Sequence, residues 1–322
     1  MSAGIDPGCV WLRLASADGR ISAVNVASER PEVAQALRGR PADEAVRLVP
    51  LLFALCGRAQ GRAAALALAA ARGAECPMHV DASIEVEVMR EHLWRWLLDL
   101  PPLLGAVAMR EEFVAAAGWV AGGQRAELAT LLNGSRIEAL CRCLENLDDV
   151  SELAPRLLPA LDARSSLAPW PRLDTGFCRI PNWQGAAAET GALARQQGRA
   201  AVKGKAFAAR WLARLAELRD WASGGARVGA GGTASAVQVA PGRGRALVDT
   251  ARGLLMHEIV LDGERIADYF IVAPTEWNFH PQGPLAGWLI GRDAADRAAV
   301  QGFAARAVAA LDPCVRWELE WL

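Results

Sequence analysis

The run DPCVRWELE at 312–320 places a cysteine close to the C-terminus, directly after a helix that we predict over 294–311. That helix is amphipathic, so packing on a core would bring Cys314 to a defined position. A thiolate is a soft metal ligand, which makes Cys314 a candidate ligand. The seven cysteines are odd in number and irregularly spaced. Such a set favours free thiols or metal ligands over a framework of disulfides.

The composition argues against several classes of partner. The chain has 322 residues and a formal net charge of -1, so neither nucleic acid nor an anionic membrane surface is an expected partner. The apolar region at 45–71 is interrupted by Arg47, Arg58 and Arg62, and no run predicts a membrane-spanning helix. The first residues have neither a basic start nor an apolar core, so we expect no secretory leader and a cytoplasmic protein.

The pattern along the chain predicts an α+β fold that is predominantly helical. Two hairpins are expected, over 10–26 around Asp18-Gly19 and over 254–273 around Asp262-Gly263. Apolar periodicity predicts helices over 43–56, 62–72, 84–98, 111–121, 126–132, 137–144, 189–196, 207–222 and 294–311. The proline-containing stretch 162–184 is predicted to be an irregular connection. We therefore expect a single domain over 1–322, with possible halves at 1–165 and 166–322.

Two short motifs resemble the metal-binding motifs of [NiFe]-hydrogenase large subunits. That family ends in D-P-C-x-x-C-x-x-H; this chain keeps the first three residues, while Trp317 and Glu320 replace the second cysteine and the histidine. The family's other motif is R-x-C-G-x-C-x-x-x-H, and the matching run here is ALCGRAQGRA at 54–63. Cys56 and Gly57 are kept, whereas alanine stands at the positions of the arginine, the second cysteine and the histidine.

Longer matches extend the resemblance. The run LLMHEIVLDGERIADYFIVAPTEWNFHP at 254–281 is similar to the family's hairpin, which follows A-P-R-G and leads into V-P-T-T-W-N. DTARG at 249–253 stands where the family has E-A-P-R-G, and ETGALAR at 189–195 is similar to its E-V-G-P-L-A-R. The resemblance implies a reduced large-subunit-like fold with peripheral β-hairpins.

The resemblance also implies which metal ligands are kept. Cys56 and Cys314 match terminal nickel ligands of the family, while Ala59 and Trp317 stand where the family has thiolates that bridge nickel to iron. We therefore predict that Cys56 and Cys314 bind metal, and that the protein holds no stable nickel and is not an enzyme. The alternative for each cysteine is a small buried hydrophobic residue, the commonest role of a free cysteine.

Arg252, Pro274 and Thr275 are candidate cofactor-binding residues on the same grounds. Arg252 stands at the arginine of A-P-R-G, and Pro274-Thr275 matches the start of P-T-T-W-N. In the family, the positions of Arg252 and Thr275 donate hydrogen bonds to the two cyanide ligands of the iron. The alternative interpretation is a surface arginine and a turn threonine.

The kept and lost residues together resemble the HupK/HoxV hydrogenase maturation proteins, relatives of the large subunit that lack its full set of four cysteines. The resemblance implies a scaffold that transiently holds, or helps to transfer, the Fe(CN)2CO unit of the large subunit. The implied partners are a HypC-type maturation chaperone, HypD and the immature hydrogenase large subunit. Two alternatives stay open: a divergent hydrogenase or hydrogen sensor subunit, and a metal-free chaperone of the immature large subunit.

Other cysteines and histidines are weaker candidates. Cys141 and Cys143 would point away from each other on a predicted helix, so we assign them no metal. His257 is expected to be a hydrogen-bonded core residue and not a ligand. His79 and His92 are expected at the surface.

Overall fold

The computed structural model of the protein describes residues 7–53, 55–147, 150, 156–197, 205–224 and 232–322. In this part of the chain, helices and two β-sheets share the core. The strands are β1 (Cys9–Ala17), β2 (Arg20–Glu29), β3 (Cys76–Val80), β4 (Thr233–Ala240), β5 (Arg243–Thr250), β6 (Gly253–Asp262), β7 (Arg265–Val272) and β8 (Arg316–Trp321). The helices are α1 (Ala42–Leu52), α2 (Gly57–Ala71), α3 (Ala82–Trp94), α4 (Leu100–Leu103), α5 (Arg110–Gly122), α6 (Arg125–Leu132), α7 (Ser135–Glu145), α8 (Thr175–Arg179), α9 (Ala192–Arg195), α10 (Ala206–Ser223), α11 (Pro274–Asn278), α12 (Pro284–Leu289) and α13 (Arg297–Leu311).

The larger sheet has the strand order β3-β4-β5-β6-β7, and each neighbouring pair is antiparallel. Side chains alternate between the two faces of a strand. On β5, Ala246 and Val248 therefore join the core that contains α2, while Leu247 packs on the opposite face with Trp170 and Trp277. Both faces of this sheet are covered, so its central strands are buried.

α2 lies against β5 at the distance of a direct backbone contact. Gly244 of β5 makes this possible, because a Cβ there would stand 2.1 Å from the backbone nitrogen of Ala71 and 2.2 Å from the carbonyl oxygen of Ala67. A glycine inside a strand often marks such a close approach. Cys56 is the N-cap of α2, so the packing of this helix on the sheet positions the first candidate ligand.

The smaller sheet joins the two ends of the chain. Its strand order is β2-β1-β8, with β8 parallel to β1 and Cys9 opposite Arg316. Val10, Leu12 and Leu14 of β1 are fully buried in a core shared with α12 and α13. The segment that carries Cys314 therefore runs between α13 and this sheet.

The remaining helices pack around α10. This helix contacts α3, α6, α7, α9 and α13. A π-helical stretch, Arg95–Asp99, continues α3, and the indole N–H of Trp96 donates to the carbonyl oxygen of Trp211 on α10 at 3.0 Å. No helix among the described residues combines the length and the apolar character that crossing a membrane requires.

Local patterns predicted many of these elements. The β1–β2 and β6–β7 hairpins are both confirmed, and α13 ends at the predicted residue. The hairpins were predicted to be peripheral, and this is wrong for β6, whose first seven residues are all buried. It lies inside the larger sheet because β4 and β5, which the sequence analysis did not predict, pair beside it.

Other predictions differ from the structure at element ends. The helix predicted over 62–72 begins earlier, at Gly57, and the one predicted over 189–196 shortens to α9, Ala192–Arg195. Strands from both sides of the 162–184 connection pair in each sheet, since β3 pairs with β4 and β1 with β8. The division of the chain into domains stays a prediction.

Candidate functional site

Cys56 is half-buried at the N-terminus of α2. Its carbonyl oxygen accepts the backbone N–H of Gln60 at 2.9 Å, which closes the first helical turn. The Gln60 side chain turns back over the same turn and donates from Nε2 to Sγ of Cys56 at 3.6 Å. The backbone N–H groups of Arg58 and Ala59 donate to the Glu87 carboxylate, at 2.9 and 3.1 Å. The helix end that presents Cys56 is thus held from α3.

Cys314 follows α13 after a turn that Asp312 makes in the left-handed conformation, with φ 60°. Its backbone N–H donates to Oγ1 of Thr275 at 3.3 Å, and the same Oγ1 lies 3.1 Å from Sγ of Cys314. Because Oγ1 accepts the backbone N–H, the hydroxyl proton is available to the sulfur. Thr275 is fully buried in α11, and Pro274 begins that helix at a position where its missing N–H costs no hydrogen bond.

The fold brings the two candidate ligands into one electrostatic environment. Burial, and after it the neighbouring Cys314, raise the pKa of the Cys56 thiol to about 12, although Arg252 and the Gln60 hydrogen bond act in the opposite direction. Cys56 is therefore a protonated thiol when nothing positive is bound. A metal must displace that proton, because the thiolate is the binding form.

Arg252 is buried beside the two cysteines and ties the site to the core. Its Nη2 donates to Glu91 at 2.9 Å, and its Nε lies 3.2 Å from Oδ1 of Asp312. Burial works against the charge of Arg252, but Asp312 and Glu91, together with Cys314 and Cys56, outweigh it and raise its pKa. The Nε–H is aligned with no acceptor among the described residues, so an acceptor on a bound group would satisfy it.

Asp312 is the carboxylate on which the surrounding arginines converge. Arg95 from the π-helical stretch reaches it at 2.6 Å, and Arg214 from α10 lies 3.9 Å away. Burial alone would raise the pKa of Asp312, but Arg252, Arg95 and Arg214 hold it well below its ordinary value. Arg95 also donates to the carbonyl oxygen of Pro313 at 3.2 Å. Arg95 therefore binds both the side chain of Asp312 and the backbone of Pro313, the two residues before Cys314.

Arg30 belongs to the site as well, although the sequence analysis did not single it out. It follows β2 and forms an ion pair with Glu276 of α11 at 3.2 Å. Burial opposes the charge of Arg30, but Glu276, Cys314 and Cys56 together outweigh burial. The pKa of Arg30 is therefore raised. Arg30 and Glu276 both line a cavity of about 580 Å³. An arginine outside the two cysteine motifs carries no local signal of this role.

The described residues offer few metal ligands. Among them, no group of three or more histidine, cysteine, aspartate or glutamate residues is arranged to hold a metal ion. Two thiols, a hydroxyl beside one sulfur and the guanidiniums of Arg252 and Arg30 make up the candidate site. This set suits a metal that carries further ligands of its own, because a bare ion such as Zn²⁺ in a structural site takes four protein ligands.

For the other residues, the structure confirms one prediction about a histidine and contradicts another. His257 is fully buried and hydrogen-bonded, as predicted. The prediction of a surface His92 is wrong: it is fully buried, and its Nε2 lies 2.8 Å from Glu217 of α10. Nothing in the spacing of α3 showed that Glu217 would face it. Arg252 and Thr275 are buried too, which excludes a surface arginine and an exposed turn threonine.

Comparisons with known proteins show which proteins the chain resembles. The family model for nickel-dependent hydrogenases matches residues 188–316. The hydrogenase expression/formation protein HoxV of Cupriavidus necator is 34% identical, with 92% of each chain covered. The hydrogenase expression/formation protein HupK of Rhizobium leguminosarum bv. viciae is 31% identical, again with 92% of each chain covered.

Solved structures show the same fold at lower identity. The Ni-Fe-Se hydrogenase of Desulfovibrio vulgaris Hildenborough matches with a TM-score of 0.60 at 14% identity, over 93% of this chain and 94% of that one. The enzyme of Desulfomicrobium baculatum matches with a TM-score of 0.59 at 14% identity, over 94% and 95%. The predicted large-subunit-like fold is therefore confirmed. The chain belongs to the HoxV/HupK family of hydrogenase expression/formation proteins.

Proposed function

We propose that this protein is a non-catalytic maturation factor that transiently holds the Fe(CN)2CO unit of a [NiFe]-hydrogenase. Cys56 and Cys314 would bind the iron of this cargo before it passes to the immature large subunit. The names of its relatives, hydrogenase expression/formation proteins, support a role in making the enzyme.

The donor set is the observation that carries this proposal. The site combines two thiols with a buried guanidinium, and Cys314 influences the titration of Cys56. An iron that already carries two cyanides and a carbonyl needs few protein sulfurs. It also needs hydrogen-bond donors for the cyanide nitrogens, which would otherwise be desolvated without compensation. Two sulfurs and a guanidinium meet both needs.

The residues at the bridging positions argue against a stable nickel site. Ala59 is fully buried in the first turn of α2, and Trp317 lies in β8. Neither side chain supplies a thiolate, and bridging thiolates are what hold a soft second metal against the first. A carrier that lacks them keeps the iron unit apart from nickel.

Arg252 and Thr275 would act on the bound cyanides. The Arg252 Nε–H has no aligned acceptor among the described residues and is ready for one. The Thr275 hydroxyl lies 3.1 Å from the Cys314 sulfur. Once the iron draws electron density from that sulfur, the hydroxyl is free to turn to a cyanide nitrogen. Pro274 sets the start of the helix that holds Thr275.

Proton exchange would make the loading reversible. The Cys56 thiol would lose its proton to solvent as its sulfur–iron bond forms, and it would regain one as the unit leaves. The raised pKa of Cys56 favours the protonated, empty state. We therefore expect iron occupancy to fall as the pH drops. This would suit a carrier whose cargo has to be given up.

The proposed partners follow from this role. A HypC-type chaperone and HypD would supply the iron unit, and the immature hydrogenase large subunit would receive it, all in the cytoplasm. The net charge of -1 is consistent with protein partners, and neither nucleic acid nor a membrane is proposed as one.

Infrared spectroscopy tests the proposal. The protein is purified anaerobically from cells that express the maturation machinery, and its spectrum is recorded in the window where only metal cyanide and carbonyl stretches absorb. We expect those bands in the natural protein and their loss in Cys56→Ala and Cys314→Ala. Cys141→Ala is the matched control, because Cys141 lies on α7 and should leave the bands unchanged.

The same experiment separates the alternatives. Bands that persist in the double variant of Cys56 and Cys314 would place the iron elsewhere and reject this mechanism. Full hydrogenase maturation by that double variant, with no bands in the natural protein, would leave a metal-free chaperone. Hydrogen turnover that co-purifies with the protein would indicate a divergent hydrogenase.

A further inference from the structure

A buried chain of three polar side chains leads from the sheet to Cys56. The hydroxyl of Tyr269 on β7 lies 2.8 Å from Nδ1 of His257 on β6. Nε2 of the same imidazole lies 2.8 Å from Oε1 of Gln60 on α2, and Nε2 of Gln60 reaches Sγ of Cys56 at 3.6 Å. All three side chains are at most 1% exposed, so bulk solvent has little access to these contacts.

The hydrogen bonds between these side chains run in one donor-to-acceptor direction, which starts at the hydroxyl of Tyr269. Burial raises the pKa of Tyr269 well above its ordinary value, so the hydroxyl keeps its proton. Within the described residues, His257 is the hydrogen-bond partner of that hydroxyl. A buried O–H must donate to something, and the lone pair of Nδ1 is the acceptor within reach.

The tautomer of His257 then sets the orientation of the Gln60 side-chain amide. Burial lowers the pKa of His257 to about 3, so its imidazole is neutral and has one donor and one acceptor. With Nδ1 accepting from Tyr269, Nε2 carries the proton and donates to the Gln60 carbonyl oxygen. The amide is then oriented with its N–H group towards Cys56.

We propose that Gln60 is a binding residue of the site, a hydrogen-bond donor to the Cys56 sulfur, and that Tyr269 and His257 are the positioning residues that set its orientation. The orientation of Gln60 stands on the geometry alone; its effect on bound iron rests on the proposed function. Each candidate ligand then has a polar neighbour of its own, since Gln60 donates to Cys56 and the Thr275 hydroxyl lies 3.1 Å from the sulfur of Cys314.

The consequence is a weakened sulfur donor. An N–H on a coordinated thiolate withdraws electron density that would otherwise go to the metal, as hydrogen bonds to ligand atoms do in other metal sites. It also stabilises the sulfur when the metal leaves. Both effects favour a unit that is held briefly over one that is held permanently.

Nitrogen NMR of the empty, full-length protein tests the orientation without any metal. The chain has four histidines, so the imidazole signals are few, and the variant His257→Gln assigns those of His257. We expect Nε2 to be protonated and Nδ1 to be an acceptor. Protonation at Nδ1 would overturn the proposal, because Gln60 would then donate to His257 and turn its carbonyl oxygen towards Cys56.

Substitutions test whether Gln60 acts on the sulfur. In the empty protein, Cys56→Ala should shift the Gln60 side-chain amide proton to higher field, as expected when a hydrogen bond is lost. Tyr269→Phe removes the hydroxyl that donates to Nδ1 of His257, so His257 should no longer be restricted to one tautomer. An amide signal that ignores Cys56→Ala would reject the contact.

The loaded protein tests the effect on iron. Gln60→Met keeps the length of the side chain but removes its N–H, so the sulfur donates more strongly and the cyanide and carbonyl stretches should move to lower frequency. Tyr269→Phe should give a smaller shift in the same direction. Ser166→Ala, which removes another fully buried hydroxyl, is the control and should give none.

The outcomes distinguish this inference from the proposed function. Unchanged stretches in Gln60→Met would overturn the role of Gln60 towards the metal while leaving the iron carrier intact. A natural protein without any cyanide bands would reject the iron carrier, and the tautomer of His257 would still decide the orientation of Gln60.

Discussion

Nε of Arg252 lies 3.2 Å from Oδ1 of Asp312, and this buried ion pair joins the turn after β5 to the segment that carries Cys314. The β6–β7 hairpin and helices α11, α12 and α13 lie between the two residues in the sequence. Their contact couples a candidate donor to a candidate ligand two residues beyond Asp312. The geometry of the site and the stability of the fold therefore both depend on the pairing of the Arg252 and Asp312 charges.

Arg252→Leu should destabilise the protein strongly. It would leave the Asp312 and Glu91 carboxylates short of a buried cation, and losing one partner of a buried pair costs about 3–5 kcal/mol. Arg252→Lys keeps the charge but loses the planar fork, so it should cost less. Urea unfolding measures both. Glu44→Gln, at an exposed pair with Arg40, should cost less than about 1 kcal/mol. Equal losses at Arg252 and Glu44 would contradict the buried-pair assignment.

Gly244→Ala should displace α2. The new Cβ would stand 2.1 Å from the backbone nitrogen of Ala71, and neither backbone can yield without moving the helix that carries Cys56. Overpacking of this kind costs about 1–3 kcal/mol or more. Gly118→Ala is the control, since nothing lies within 4 Å of a Cβ on that residue of α5. It should stabilise by about 0.5–1 kcal/mol. Urea unfolding that fails to separate the two variants would refute the close contact.

His257 should make stability depend on pH in the acidic range. Its folded pKa is about 3, below the ordinary value of 6.5, so only the unfolded chain takes up the proton between these two pH values. The unfolded state then binds more protons, and stability falls as the pH drops from about 6.5 towards 3, by up to about 1.4 kcal/mol per pH unit. Unfolding midpoints in a pH series should show a flatter profile for His257→Gln. Parallel profiles would contradict this assignment.

The purified protein should neither evolve hydrogen nor reduce a dye with it, with or without added nickel. The physical reason is the side chains at the bridging positions, since Ala59 and Trp317 cannot coordinate a soft metal. Gas chromatography and a dye assay measure the two directions of the reaction. Turnover that follows the protein through every purification step would sink this prediction.

Short-range chemistry let the sequence predict several parts of the fold. Asp262-Gly263 between two β-prone runs is a local turn signal, and the β6–β7 hairpin forms there. The amphipathic pattern before Asp312 predicted α13 and its delivery of Cys314. These features depend on residues close together in the chain. Whether Cys56, Cys314, Arg252, Pro274 and Thr275 bind a metal unit stays a prediction, since their motifs supply the chemistry and not the occupancy.

The sequence by itself determined which sulfurs and which turns the protein has, and the tertiary structure decided what surrounds them. β8 pairs with β1 at the other end of the chain, and His257 meets Gln60 across 197 positions. The burial of Arg252 likewise depends on Glu91 of α3 and Asp312 after α13. The spacing of apolar residues along a helix or strand does not reveal such contacts. They form only when distant segments pack together and exclude the water between them.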